Sequence, residues 1–157
     1  MYKNLPKDFS LLCDLRSSKP AQFTSETLRL LKFSVLQKKY EIYSDINGSP
    51  RGYITWADVN VETILRMKRS GRFPRYIYEW NEGDIRLILD VLMHTRPGDL
   101  KLPSLIYNLV DSCSRVAFAK RGNLKMLIKR NGRFVAQSIR ADMPTEFSGT
   151  SIEVLPH

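Results

Sequence analysis

The segment from Ile85 to Met93 constrains the fold most, because seven of its nine residues are aliphatic or Met. A short, nearly continuous apolar run between two Gly-containing turns is typical of a strand that is covered on both faces. We therefore expect a central strand with a layer on each side of the sheet. Asp90 interrupts this run, and a carboxylate there would be costly to bury alone, so we expect a cationic partner beside it.

Patterns on both sides of this strand predict further helices and strands. Thr24 or Ser25 offers a cap for an amphipathic helix that runs to Lys39, with Leu28, Leu31 and Val35 on its apolar face. The other predicted elements are a hairpin of residues 40–43 and 53–59 around Asn47-Gly48, a helix over 60–69 that Asn60 caps and Gly71 ends, strands at 76–80, 116–119, 124–129 and 134–139, and a helix over 102–113.

This order of elements predicts an α/β or α+β fold with a central, mostly antiparallel mixed sheet flanked by helices. The length of 157 residues is that of one domain, so we expect a single domain over 1–157. Residues 142–157 have no strong period and are predicted to form a C-terminal tail.

The charge of the chain indicates a polyanionic partner. The formal net charge is +9 and the pI is 9.7. The electrostatic field of such a positively charged surface attracts nucleic acid, anionic membranes and acidic proteins alike. The first eighteen residues fit neither a secretory signal nor a membrane span, so we expect a cytoplasmic protein. The chain has only two histidines, and its two cysteines, Cys13 and Cys113, are far apart in the sequence and are expected to be packing residues. We therefore expect no bound metal.

Four short sequence segments follow one another between residues 50 and 99. They are Pro50-Arg51-Gly52-Tyr53-Ile54-Thr55-Trp56-Ala57, Trp80-Asn81-Glu82-Gly83-Asp84, Leu89-Asp90 and Pro97-Gly98-Asp99. In order and spacing they resemble the lysine acyltransferases that activate RTX toxins. The resemblance implies a fold similar to the GNAT acetyltransferases, and transfer of a fatty acyl group from acyl-acyl carrier protein to an internal lysine of a protoxin. In that family a serine, a histidine three residues later and an aspartate in the central strand carry the activity.

The resemblance makes Asp90, Ser18 and His94 the candidate catalytic residues. Asp90 stands six residues after Asp84, as the family aspartate does, and Ser18 matches the serine. The position three residues after Ser18 is Ala21, so His94 is the candidate for the imidazole that takes a proton from a lysine amine. The spacing of four residues puts Asp90 and His94 on one face of a strand. Structural roles stay open for both, with His94 bound to a backbone carbonyl and Asp90 paired with Arg96 or another cation.

Two groups of residues are candidates for holding the acyl donor. Arg96, Gly98 and Asp99 lie in a loop before a predicted helix, where backbone N–H groups suit a phosphate or phosphopantetheine. Lys125, Lys129 and Arg130 belong to a basic cluster over 120–133, and acyl carrier proteins are acidic, so this cluster is expected to dock the carrier.

Two other functions remain open from the sequence. One is a catalytically inactive, acyltransferase-like protein that binds or inhibits a protein partner. The other is a basic protein that binds nucleic acid, with Phe118 and Phe134, or Tyr76 and Tyr78, stacking on bases. A homodimer is compatible with either of them and with the enzyme, and no cofactor beyond the acyl donor is expected.

Overall fold

The computed structural model describes residues 5–18, 23–94, 108, 112–120, 123–139 and 153–154. Its helices are α1 (Leu5–Ser17), α2 (Ser25–Leu36), α3 (Val61–Ser70) and a 3-10 helix (Ile77–Trp80), and its strands are β1 (Tyr40–Ser44), β2 (Pro50–Val59), β3 (Ile85–Met93), β4 (Arg115–Lys120), β5 (Asn123–Arg130), β6 (Arg133–Ser138) and β7 (Glu153–Val154). Contacts divide the chain into two compact units. The first unit is residues 1–56 with 89–101, and the second is 57–88 with 102–157.

The strands form one mixed sheet in chain order, β1 to β7. The pairs β1–β2, β4–β5, β5–β6 and β6–β7 are antiparallel, and β3–β4 is parallel. Bonds from His94 N to Arg51 O and from Thr55 Oγ1 to Asp90 O run in opposite order along β2 and β3, so this pair is antiparallel as well. The predicted α+β class and the interior position of β3 are confirmed. The GNAT-like topology and the single-domain organisation stay predictions.

The core of the first unit lies where α1 and α2 meet the strands. Leu12, Leu31, Val35, Tyr53 and Leu92 form one buried cluster. The N-terminus of α2 is capped by Thr24, whose hydroxyl accepts the N–H of Thr27, as the sequence predicts. Of the predicted apolar face of α2, Leu31 and Val35 are buried, but the prediction is wrong for Leu28, which is exposed while Leu30 and Ser34 are buried instead. Helix α1 has no counterpart in the sequence prediction.

The second unit confirms the short helix and corrects one strand. Asn60 accepts the N–H of Thr63, and Gly71 ends α3 with a positive φ of 66°, as predicted. Residues 76–80 were predicted to be a strand, and this prediction is wrong, because Ile77–Trp80 is a 3-10 helix. The physical reason is Glu79, whose carboxylate accepts the backbone N–H groups of Arg75 and Tyr76 and folds the segment back on itself.

The late strands follow the predicted hairpin. Asn131 and Gly132 connect β5 to β6 with positive φ values of 50° and 73°, the conformation that an Asn-Gly hairpin turn requires. Within the predicted tail, Glu153–Val154 forms the short strand β7, which pairs with Val135 and Ala136. Most of the helix predicted over 102–113 lies outside the described residues, although Asn108, Ser112 and Cys113 are helical.

Candidate active site

Asp90 is the charged centre of the first unit. Its Oδ1 lies 3.3 Å from Arg16 Nη1, and the side chains of Asp90 and Arg16 are only 12% and 10% exposed. The Tyr53 hydroxyl donates to Asp90 Oδ2 at 2.5 Å. The cationic partner that the sequence requires for Asp90 is therefore Arg16, at the end of α1. The alternative partner, Arg96, lies outside the described residues.

Tyr53 is fully buried beside this ion pair. Burial raises the pKa of its phenol, and the hydrogen bond to Asp90 and the charge of that carboxylate raise it further, while the Arg16 guanidinium opposes both. The phenol is therefore neutral at physiological pH and remains a donor to Asp90. Tyr53 and Arg16 together keep both carboxylate oxygens occupied.

Ser18 and His94 meet at the ends of two elements. Ser18 directly follows α1, and its Oγ lies 2.9 Å from His94 Nε2 and 2.7 Å from the carbonyl oxygen of Leu15. His94 directly follows β3, where its backbone N–H donates to the Arg51 carbonyl. A hydroxyl has one proton, so Ser18 either donates to Leu15 and accepts from His94, or donates to His94. The tautomer of the imidazole decides which arrangement is present.

Asp90 contacts the last turn of α1, and His94 contacts the residue that directly follows this helix. Residues four apart in a strand are about 13 Å apart along the chain, which is too far for a carboxylate to bind an imidazole directly. Asp90 instead contacts Arg16, and His94 contacts Ser18. The structure thus brings all three predicted catalytic residues to the contact between α1 and β3, but it does not place the carboxylate against the imidazole.

The pieces that carry the resemblance have structural roles in each unit. In the first unit, Gly52 lies so close to the backbone of Leu92 that a methyl group there would overlap its carbonyl oxygen. In the second unit, Trp80 is fully buried, Gly83 lies equally close to the Val59 backbone, and Asp84 forms an ion pair with Arg115. These glycines are needed for close backbone approach rather than for flexibility.

The residues predicted to hold the donor are only partly described. Arg96, Gly98 and Asp99 lie outside the described residues. Lys125, Lys129 and Arg130 lie on β5 in the second unit, where Lys125 is half-buried and the other two are exposed. The Lys129 ammonium lies 5.7 Å from the centre of the Phe134 ring, so this cation also packs on an aromatic face.

Sequence reasoning missed Arg16 and Tyr53 as members of the site. Tyr53 stands within one of the four pieces, two residues before Thr55, so a search for donors facing Asp90 across β2 and β3 would have found it. Arg16 is separated from Asp90 by seventy-four residues, and α1 itself was not predicted, so no sequence signal pointed to this pair.

Comparison with protein-family models found no match, and comparison with curated proteins found none either. Among the residues that the structure describes, no group of three or more His, Cys, Asp or Glu side chains lies together in a way that could hold a metal ion. Within the same residues, no helix has both the length and the apolar character needed to cross a membrane.

Proposed function

We propose that this protein is an acyltransferase that moves a fatty acyl group from acyl-acyl carrier protein to a lysine amine of a protein. The observation that carries the proposal is the distance of 2.9 Å between Ser18 Oγ and His94 Nε2. The toxin-activating acyltransferases that the sequence resembles have a serine and a histidine close together in the chain. Here the histidine position is Ala21, and His94 supplies an imidazole to Ser18 from the end of β3.

His94 acts as the general base in this proposal. When Ser18 donates to the Leu15 carbonyl, it accepts the N–H of His94 Nε2, which makes Nδ1 the basic nitrogen. The lysine nitrogen attacks the thioester carbon, the new C–N bond forms, and the C–S bond to the carrier breaks. The amine proton passes to His94 and then to the departing thiolate, so protons and charge balance. A base positioned in this way contributes about 10²- to 10⁴-fold to the rate.

Asp90 is a positioning residue in this mechanism. Its carboxylate is nearly buried and is bound by Arg16 and Tyr53. These contacts support a role in neutralising Arg16 and in positioning α1, rather than in taking a proton from substrate. The Arg16 pair fastens the end of α1 to β3. Ser18 lies two residues beyond Arg16, so the same pair keeps Ser18 against His94.

The acidic carrier would be bound by the exposed cations of the second unit. Lys129 and Arg130 at the end of β5 offer charge that attracts a carrier protein, with affinity that falls as salt rises. Arg96, Gly98 and Asp99 remain candidates for the phosphopantetheine.

The test is intact-mass analysis of the protein with a fatty-acyl carrier protein and a polylysine acceptor, following deacylation of the carrier and mass gain on the acceptor. We expect transfer by the wild type and a loss of about 10²-fold or more in His94→Ala. The other histidine offers a matched control, because His157→Ala also removes one of the two imidazoles of the chain.

Equal transfer by His94→Ala and His157→Ala would refute the role of His94. Carrier binding with no transfer by the folded wild type would refute the enzyme and favour the non-catalytic binding protein. Asp90→Asn should lower kcat without abolishing transfer, because His94 remains as the base. A loss of transfer as complete as that in His94→Ala would contradict a positioning role for Asp90.

A further inference from the structure

The 3-10 helix of the second unit exposes aromatic surface. Tyr76 and Tyr78 are 53% and 63% exposed, and Ile77 between them is 42% exposed. The two phenol rings stack on each other with centroids 5.4 Å apart and planes within 5°. Both residues of the stacked pair are thus more than half exposed, and such exposed apolar surface is typical of a binding site.

Buried contacts hold this surface in place. Glu79 is 4% exposed, and it accepts the backbone N–H groups of Arg75 and Tyr76 at 2.8 Å each. Arg66 of α3 forms an ion pair with the same carboxylate. Trp80, which is fully buried, donates its indole N–H to the Pro74 carbonyl at 3.4 Å. The backbone on both sides of Tyr76 and Tyr78, the Tyr pair, is thus held by these contacts. The two rings therefore lie on a rigid support, and little ordering of the protein is required on binding.

The segment that leads to the Tyr pair is strongly basic. Residues 66–75 contain five cations and no carboxylate: Arg66, Lys68, Arg69, Arg72 and Arg75. Four of them, all except Lys68, are exposed. The nearby Glu79 is buried and already bound to Arg66 and to backbone N–H groups, so it does little to offset the positive field at the surface. Glu62 of α3 is exposed, and it offsets part of the charge of the five cations.

We propose that Tyr76, Tyr78 and the cations of 66–75 form a binding site for single-stranded nucleic acid. The phosphates would be attracted by the arginines, and unpaired bases would continue the stack on the outer faces of the phenol rings. A duplex keeps its base faces covered, so this geometry favours single strands. The five cations favour a polyanion as the partner, and the exposed stacked phenols favour one that carries unpaired aromatic bases, so a single strand fits both features. This site does not depend on the proposed transferase activity.

The experiment is fluorescence anisotropy of the full chain with a labelled oligothymidylate, measured over a series of salt concentrations. Tyr76→Ala and Tyr78→Ala should each weaken binding about tenfold, the effect of losing one base stack, while Tyr76→Phe keeps the wild-type affinity. Arg72→Gln should reduce the slope of log affinity against log salt by about 0.7, the value for one lost phosphate contact with a single strand.

Lys32→Gln is the matched control for charge, because Lys32 is exposed on α2 in the first unit and the change in net charge is the same. If it reduces the slope as much as Arg72→Gln does, binding follows net charge and the proposal is refuted. Wild-type affinity in both Tyr→Ala variants would also refute it. Vesicles of phosphatidylcholine with phosphatidylserine, and polyglutamate, are tested as competitors. If either binds more tightly than the oligonucleotide with the same dependence on Tyr76 and Tyr78, the partner is a membrane or an acidic protein and the proposal is wrong.

Discussion

Replacement of Asp90 by Asn tests whether the buried ion pair with Arg16 holds α1 on β3. Asn keeps the shape of the side chain and can still accept from Tyr53, but it removes the charge that neutralises Arg16. Both side chains are about nine-tenths buried. Removal of one partner of such a pair costs about 3–5 kcal/mol, because the remaining charge loses its compensation. That is a large share of the 5–15 kcal/mol, roughly, by which whole domains are stable.

Urea unfolding followed by circular dichroism measures this cost, and thermal unfolding should show a Tm lower by about 6–20 °C. Glu26→Gln is the matched control, because it also turns a carboxylate into an amide but in the exposed pair with Arg29 of α2, so it should cost less than about 1 kcal/mol. The combination of Arg16→Gln with Asp90→Asn should cost less than the sum of the two single changes by about 0.5–3 kcal/mol. Additive costs, or a cost for Asp90→Asn no larger than that of Glu26→Gln, would refute the pair.

Two further predictions concern the packing and ionisation of the first unit. Gly52→Ala should destabilise the protein by about 1–3 kcal/mol in urea unfolding, because its methyl group would overlap the Leu92 carbonyl. The control, Ser44→Ala on β1, should have little effect, because Ser44 is exposed. Equal costs for the two changes would contradict the close approach of Gly52 to Leu92. Burial, then the hydrogen bond to Asp8 and its charge, raise the pKa of Tyr40 from 10.0 to about 12, so its contribution is complete below pH 10.0 and is lost as the pH rises to about 12. The free energy of unfolding of the wild type should therefore fall more steeply over that range than that of Tyr40→Phe, and parallel curves would show that Tyr40 is not held by Asp8.

Elements whose chemistry is local could be predicted from the sequence. The caps by Thr24 and Asn60, the end of α3 at Gly71 and the turn at Asn131 depend on side chains and φ angles within three or four residues. The aliphatic run of β3 likewise determined its interior position, because seven apolar residues in nine need cover on both faces. For these elements the sequence determined the structure, since every interaction that matters lies within the segment or follows from its composition.

Only the tertiary structure decided the contacts that make the candidate site. The sequence identified Ser18, Asp90 and His94, but the contact of Ser18 with His94 joins residues seventy-six positions apart, and α1 supplies Arg16 to Asp90 over a similar separation. Residues 76–80 look like a strand by composition, and a buried carboxylate, Glu79, with Arg66 of α3 beside it, holds them instead as a 3-10 helix. Hydrogen bonds and ion pairs between distant segments follow from packing rather than from local propensity. Where a charge is buried, these interactions outweigh the local propensity of the segment, because an unpaired buried charge is costly.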